Sequence, residues 1–413
     1  MKISFSKSVD LKLLLNEIKA ITTIKGGKVS YNAFRIYELE SILESHIKFS
    51  ENLSNQSKQS IIQKTISRVA ISGFDDKEFK KILNEEVNSH FSKKEQYFFL
   101  LTSLSINYLP FRKIQINNSE ITIKGKHFPK YLNKYRNDLL KKKKENFLND
   151  NFLKVIVKTK GKNYTDVFKE SLKDLDVFRA ILNLLINPSM QINFGSDEKP
   201  VNRIRLGKFL TMHTEDGNTV NEHNYWWEPN FDNKIWELKS DEKDSIKNSI
   251  NWYIKRINLS NEKFNQSICH SLGLYVNAFD EPNKQTCFLK VWTSLETLLA
   301  THQNETIIKR CLTVYNDESK PLQRQILEAL KIYRNDFVHE GIEASKENLS
   351  TYCHKIQSNI LYILRFNHLK YYSLFNNIED ANTFLDKRRL DMKVQKSELE
   401  MFKTIHKRIN TKS

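Results

Sequence analysis

A chain of 413 residues, of which 39% are hydrophobic and 28% charged, has the composition of a globular protein, and its length predicts two or three domains. No run of apolar residues is long enough to span a membrane, so no membrane partner is expected. The formal net charge of +17 favours an anionic partner, and nucleic acid is the first to consider.

The cysteines and the N-terminal residues indicate the cellular compartment in which the protein is expected. The four cysteines form no CxxC pair and have no metal-ligand spacing. Charged residues interrupt the apolar ones over residues 1–20, so no secretion signal is expected. Scattered thiols without such a signal are typical of a reducing compartment. We therefore expect a cytoplasmic protein. Nothing in the sequence resembles a P-loop, a Zn cluster or a Ser-His-Asp set, so no cofactor and no metal are expected.

Residues 1–110 are predicted to be mostly helical. In four segments, apolar residues recur three and four positions apart, and a helix is expected in each. These segments are 9–20, 32–48, 57–71 and 94–106. Over 113–124, apolar and polar residues alternate on both sides of Asn117-Asn118-Ser119, which indicates a β-hairpin.

Residues 121–170 hold more than half of the excess positive charge. They contain 14 Lys or Arg and 5 Asp or Glu, and 14 minus 5 gives a net charge of +9. In the whole chain Lys outnumbers Arg 51 to 15, which an AT-rich genome would produce without any selection for binding. Such a bias does not predict that the charge is clustered.

Four successive lysines, Lys141, Lys142, Lys143 and Lys144, fall in a basic helix predicted at about 128–148. Four successive residues point around most of a helix, so a solvated helix face is the simpler interpretation. The alternative is an RNA-binding surface that contacts phosphates without reading the base sequence.

The middle of the chain changes in character. A strand is expected at 153–157 and a helix at 170–187, which completes a region over 1–190 that we interpret as regulatory or sensory. Residues 191–240 contain several Trp and Gly residues, and Asp216-Gly217 is a turn dipeptide between extended segments. We interpret 191–240 as a small β-rich connector.

Residues 241–375 show strong helical periodicity. Five helices are predicted, at 242–257, 262–279, 283–301, Pro321 to Gly341, and 346–374. Short connections between such helices imply antiparallel neighbours. The predicted fold class is mainly α, with an N-terminal helical or mixed region, a small β-element and a C-terminal antiparallel helical bundle. A basic extension follows over 376–413.

The segment Arg334-Asn335-Asp336-Phe337-Val338-His339 contains the residues best suited to chemistry. The guanidinium of Arg334 is always charged and can bind two phosphate oxygens at once. The imidazole of His339 titrates near neutral pH, so it can accept and donate a proton. Chance alone gives about one such pair in a chain of this composition, and the structural alternative for His339 is a cap at the C-terminus of a helix.

The residues around this pair resemble the HEPN superfamily, and within it the Apea-like HEPN proteins of bacterial defence systems. That family has an R-x4–6-H motif with a polar residue after the Arg, which Asn335 matches, and a turn after the motif, which Gly341 matches. It also has an upstream helix of the form F-L-x-x-W-x-x-L-E-x-L. The matching residues here are Phe288, Leu289, Trp292, Leu295, Glu296 and Leu298. The resemblance covers about 200–375 and is densest over 262–341.

The resemblance implies roles for several residues. Arg334 and His339 would be catalytic, and Asn335 and Asp336 would position them or the substrate. Glu296 would either orient Arg334 across the bundle or lie at its solvated edge. We interpret Trp292 as a core residue rather than a platform for base stacking. Toxin members regulated by nucleotidyl transfer carry a tyrosine two positions after the His, and this chain has Gly341 there, which argues against that regulation.

The function implied is a metal-independent endoribonuclease of a bacterial defence or toxin system. Its substrate would be RNA, with tRNA a candidate, and its trigger or regulator would be a phage-derived or other partner. Motif helices of the family usually face each other in a homodimer. Two alternatives stay open: an inactive HEPN bundle that binds RNA or nucleotide and recruits a partner protein, and an interaction scaffold in which the motif is only a helix end.

Overall fold

The computed structural model shows a mainly helical protein with an antiparallel β-sheet. It describes residues 3–6, 8, 10–49, 53–142, 151–189, 199–220, 225–228, 231–340, 346–388, 394–401 and 403. Within the part of the chain that it describes, no helix combines the length and the apolar character needed to cross a membrane.

The N-terminal helices form a unit with its own hydrophobic core. The helices are α1 (Leu11–Ile21), α2 (Arg35–His46), α3 (Asn55–Ser72) and α4 (Asp76–Ser92). The first three confirm predicted helices, whereas α4 was not predicted. Short strands flank them: β1 (Ser4–Phe5) pairs with β4 (Ile47–Lys48), and β2 (Thr22–Lys25) pairs with β3 (Lys28–Tyr31). Their apolar faces form a cluster separate from the main core, which contains residues of the six-stranded sheet and of the C-terminal helices described below.

Six antiparallel strands form the main sheet. In chain order they are β5 (Gln96–Leu104), β6 (Lys113–Ile116), β7 (Ser119–Gly125), β8 (Leu153–Gly161), β9 (Phe209–Thr214) and β10 (Tyr225–Trp227). Their spatial order is β10-β9-β5-β8-β7-β6. The pairing of β6 with β7 around Asn117-Asn118 confirms the predicted hairpin. Both β9 and β10 come from the segment interpreted as a connector, and β9 pairs directly with β5.

The predicted helix at 94–106 is wrong, because these residues form strand β5. Apolar side chains of β5 are buried on both faces of the sheet: Leu100 packs in the main core, and Leu101 packs with Phe128 and Leu132 on the other side. A strand buried on both faces has a continuous apolar run instead of an alternating one. The period of the sequence therefore could not distinguish it from a helix.

Two helices cover the two faces of the sheet. Helix α5 (Lys130–Lys142) places Leu132 against the face of the sheet that carries Leu101. The predicted helix at 128–148 is described only to residue 142. Helix α6 (Tyr164–Ile186) packs against strand β8 on one side and against the C-terminal helices on the other. Since α6 lies between two layers, it is buried nearly all round.

The C-terminal helices are α7 (Lys243–Leu259), α8 (Glu262–Phe279), α9 (Lys284–Leu298), α10 (Asn304–Leu312), α11 (Lys320–Glu340), α12 (Lys346–Ile363) and α13 (Ile378–Arg388). Five of them confirm predicted helices, and α10 and α13 were not predicted. Helix α12 ends at Ile363, earlier than expected, and a π-helical turn follows. Ala381 and Leu385 of α13 are buried in the main core, so part of the predicted extension packs with the helices before it.

Candidate catalytic site

Helix α11 carries Arg334 beside its buried stripe. Leu327, Leu330 and Tyr333 are buried on this helix, and Phe337 packs against the same core. Arg334 follows Tyr333, and 27% of its side chain is exposed. The guanidinium is therefore held at the edge of the core with access to solvent, as a phosphate ligand requires.

Glu296 of helix α9 lies across from Arg334 and is the carboxylate around which the site is built. Only 7% of its side chain is exposed. Its Oε1 atom accepts a hydrogen bond from Trp292 Nε1 at 2.9 Å and lies 3.9 Å from Arg334 Nη2. The second distance is that of an ion pair and is too long for a hydrogen bond. The structure thus places Glu296 opposite Arg334, one of the two positions considered from the sequence.

Trp292 is a core residue, as interpreted from the sequence. Its side chain is 1% exposed, and Phe288 contacts its ring in the main core. Its indole N–H donates to Glu296, so the only polar atom of the side chain has a partner. This bond fixes the Glu296 carboxylate from the buried side of the site.

His302 was not a candidate from the sequence. Its Nδ1 atom lies 3.2 Å from Glu296 Oε2, and 86% of its side chain is exposed. One carboxylate therefore contacts a cation through one oxygen and an imidazole through the other. No helical period links positions 296 and 302, because helix α9 ends between them, and this contact gave no signal in the sequence.

A tight turn at the end of α9 brings His302 back to Glu296. Ala300 has a left-handed backbone (φ 47°), and the Thr301 N–H donates to the Glu296 carbonyl at 3.2 Å. A six-residue closure of this kind ends many helices, usually with Gly at the left-handed position. Here Ala occupies that position, where its Cβ atom is sterically unfavourable.

Side chains from three other elements hold this turn. Arg310 of α10 donates to the Leu299 carbonyl and also binds Asp386 of α13. His368 and Asn382 donate to the Leu298 carbonyl at 3.1 and 3.2 Å. Carbonyls that the helix leaves unpaired at its end are thus satisfied. His302 consequently projects from a turn with a fixed backbone.

Asn335 also contributes to the site, whereas Asp336 lies on another side of the helix. Asn335 Oδ1 accepts from Asn304 Nδ2 at 3.3 Å and from Arg334 Nη1 at 3.4 Å. Asn304 is the first residue of α10, so the N-terminus of that helix lies next to Arg334. Asp336 follows Arg334 by two positions, which places it about 200° around the helix. The predicted positioning role of Asn335 has a geometric basis, and that of Asp336 has none in these contacts.

His339 lies in the last turn of α11, because the helix continues to Glu340. The imidazole of His339 lies outside the described residues. Five positions on a continuous helix turn the chain by about 140° and advance it by about 7.5 Å. From the same helix, Arg334 and His339 therefore start in different directions.

The remaining predicted site residues are the lysine run. Lys141 is exposed near the end of α5. Lys143 and Lys144, and the side chain of Lys142, lie outside the described residues. Within the described parts of the chain, no group of three or more His, Cys, Asp or Glu side chains is arranged to hold a metal ion.

Comparison with known proteins identifies no match to this chain. No family model, no curated protein and no solved structure matches the chain.

Proposed function

We propose that this protein is a metal-independent endoribonuclease of the HEPN type, acting in bacterial defence or as a toxin, with Arg334 and His339 as its catalytic pair. The observation that carries the proposal is the position of Arg334. It is a partly exposed cation at the edge of the helical bundle, opposite the buried carboxylate of Glu296. That carboxylate belongs to the same upstream helix whose sequence resembles the HEPN family.

The chemistry follows from the two side chains. The 2′-hydroxyl of the RNA attacks the adjacent phosphorus, and the 5′-oxygen of the next nucleotide leaves. Arg334 stabilises the negative charge that develops on the phosphorus oxygens. His339 moves the proton that this exchange requires. The reaction leaves a 2′,3′-cyclic phosphate and a 5′-hydroxyl, and it needs no metal ion as a nucleophile generator.

The surroundings of Arg334 favour an anionic ligand. The N-terminus of α10 carries partial positive charge and begins at Asn304, whose side chain contacts Asn335. Asn335 in turn contacts the guanidinium. We propose that the phosphodiester binds between Arg334 and this helix end, and that Lys141 to Lys144 contact the RNA backbone further from the scissile bond.

We further propose that the protein acts as a homodimer. Since Arg334 and His339 diverge on one helix, a second copy facing the first would bring one His339 close to the other Arg334. Antiparallel pairing of two α11 helices satisfies this requirement with two-fold symmetry. The site would then be shared between the protomers.

The test is cleavage of total RNA and of purified tRNA in the presence of EDTA. We expect cleavage products that end in 2′,3′-cyclic phosphate and 5′-hydroxyl, and no cleavage of DNA, which has no 2′-hydroxyl. H339A and R334K should both lose cleavage, the latter because Lys cannot bind two phosphate oxygens in a fork. Circular dichroism of each variant checks that the fold is retained.

Three results would contradict the proposal. Products with a 5′-phosphate, or complete loss of activity in EDTA, would show that a metal-activated water is the nucleophile. RNA binding without any cleavage would favour the inactive bundle that recruits a partner. An unfolded H339A variant would assign His339 a structural role instead of a catalytic one.

A further inference from the structure

His302 is an exposed imidazole held by a buried carboxylate. A carboxylate offers only acceptors, so the hydrogen in the bond between His302 Nδ1 and Glu296 Oε2 is carried by the imidazole. The neutral ring then has its lone pair on Nε2. Because 86% of the side chain is exposed, Nε2 can reach a substrate bound at the surface.

This arrangement matches the geometry of a general base. An active-site base is commonly oriented by a third group that accepts from its other nitrogen, and Glu296 occupies that position. The turn at Ala300 and the hydrogen bonds to the Leu298 and Leu299 carbonyls hold the backbone that carries the ring. A histidine that is only solvated at the surface needs neither a carboxylate partner nor a backbone held by such hydrogen bonds.

Arg334 lies at the other oxygen of the same carboxylate. A guanidinium able to bind phosphate and an imidazole therefore lie at one site within one chain. Attack and departure occur at opposite sides of the phosphorus, so one histidine cannot serve both ends at once. His339 starts about 140° away from Arg334 around α11. In the described structure, His302 and Arg334 contact the same Glu296 carboxylate.

We propose that His302 is a second catalytic histidine, which removes the proton from the 2′-hydroxyl, and that Glu296 positions it. This inference rests on the proposed ribonuclease function and divides the proton transfers of that reaction. As the bond between the 2′-oxygen and phosphorus forms, the hydroxyl proton moves to Nε2 of His302. As the bond between phosphorus and the 5′-oxygen breaks, His339 gives a proton to the leaving oxygen. Arg334 stabilises the phosphorane between the two steps.

The experiment separates the base from the acid by the leaving group. RNA and uridine 3′-(4-nitrophenyl phosphate) are given to the wild type and to H302A and H339A, all in EDTA. Nitrophenolate leaves without protonation, so the second substrate needs a base but no acid. We expect the cleavage rate of H302A to fall about 10²- to 10⁴-fold on both substrates. We expect H339A to lose activity on RNA and to keep it on the nitrophenyl substrate.

Chemical rescue provides a readout that a structural role would not change. H302G leaves space for an imidazole at an exposed position, and added imidazole should restore part of the cleavage of both substrates. H270A is the matched control, since His270 is an exposed histidine on α8 outside the site. It should cleave at the wild-type rate.

The role of Glu296 is tested by E296Q, which keeps an acceptor for the Trp292 indole N–H. If Glu296 acts through His302, E296Q lowers the rate in the wild-type background and lowers it much less in H302G. Fully additive losses would show that Glu296 does not position His302.

The outcomes distinguish this inference from the proposed function. Wild-type cleavage by H302A, with H339A inactive on RNA, would overturn the role of His302 and leave the ribonuclease in place. A loss in H302A confined to RNA, or a loss that imidazole does not restore in H302G, would equally overturn its role as the base. A wild type that cleaves neither substrate would overturn the proposed function, and the role of His302 with it.

Discussion

At the scale of single residues, the site depends on a small number of buried polar side chains. Glu296 is buried and contacts Trp292, Arg334 and His302, so its negative charge faces two groups that can be cationic. His368 is buried as well and donates to the Leu298 carbonyl at the end of α9. Buried polar groups that are fully paired give such a site a single defined arrangement.

We expect His368 to make the stability of the protein sensitive to acid. Burial disfavours the imidazolium and lowers the pKa of His368 to about 4. The unfolded chain takes up a proton near its reference pKa of about 6.5, whereas the folded protein does not, so this term lowers stability as the pH falls from about 6.5 to about 4. H368Q, which retains a donor for the Leu298 carbonyl, should lack this loss.

Urea unfolding at pH 7.5 and pH 5 measures the effect. We expect the wild type to lose about 1–2 kcal/mol more than H368Q between these two pH values. H270Q removes an exposed histidine and serves as the control. If H368Q and the wild type lost stability equally, His368 would not carry the acid sensitivity.

At the scale of secondary structure elements, the end of helix α9 positions His302. The turn that follows α9 contains Ala300 in the left-handed region, where the Cβ atom is sterically unfavourable. The bonds from Arg310, His368 and Asn382 stabilise the turn despite that cost. Elements distant in sequence therefore hold the loop on which the proposed base lies.

A300G should stabilise the protein, because Gly adopts a positive φ without a steric penalty. We expect an increase of about 0.5–1 kcal/mol in the free energy of unfolding. The same substitution at Ala329, an exposed position inside helix α11, should instead destabilise the protein by about 1 kcal/mol. Equal destabilisation by both variants would contradict the assigned backbone conformation.

At the scale of the whole molecule, the sheet and the C-terminal helices share one hydrophobic core, and the N-terminal helices have another. Helix α6 joins the sheet to α8, and fully buried Arg179 of α6 binds Asp280, the residue after α8. Contacts of the N-terminal helices with this body include polar ones, such as the Ser54 N–H donating to Asp166 and His90 bonding to the same carboxylate.

The two cores predict how fragments of the chain behave. A chain of residues 95–413 keeps the main core complete, so we expect it to unfold cooperatively in a thermal melt. A chain of residues 241–413 loses α6, which exposes the apolar face of α8 and leaves Asp280 without Arg179. Loss of a partner from a buried ion pair costs about 3–5 kcal/mol, so this fragment should aggregate or lack a cooperative transition.

A cooperative melt of 241–413 alone would show that the bundle is independent of the sheet. Failure of 95–413 to fold would show that the polar contacts of Asp166 are essential. The boundaries predicted at residues 190 and 240 stay a prediction, but β9 pairs with β5 across the first of them.

Several elements could be predicted from the sequence alone, and Arg334 could be named as a candidate for the proposed chemistry. Apolar periodicity predicted α8 and α11, the alternation around Asn117-Asn118 predicted the hairpin, and Arg334 was recognised on its helix. These features depend on residues close together in the chain, where the side-chain period follows the backbone. Glu296 was a candidate from the sequence, with its orientation left open.

Strand β5 could be assigned only from the tertiary structure, since its burial on both faces comes from α6 and α5 and removes the alternating pattern. Only the tertiary structure brought His302 to Glu296. That contact requires a positive φ at Ala300, which no local rule predicts for alanine, and hydrogen bonds from Arg310, His368 and Asn382. The free energy that holds the turn comes from distant elements, so the residues nearest to His302 in the sequence do not reveal its position.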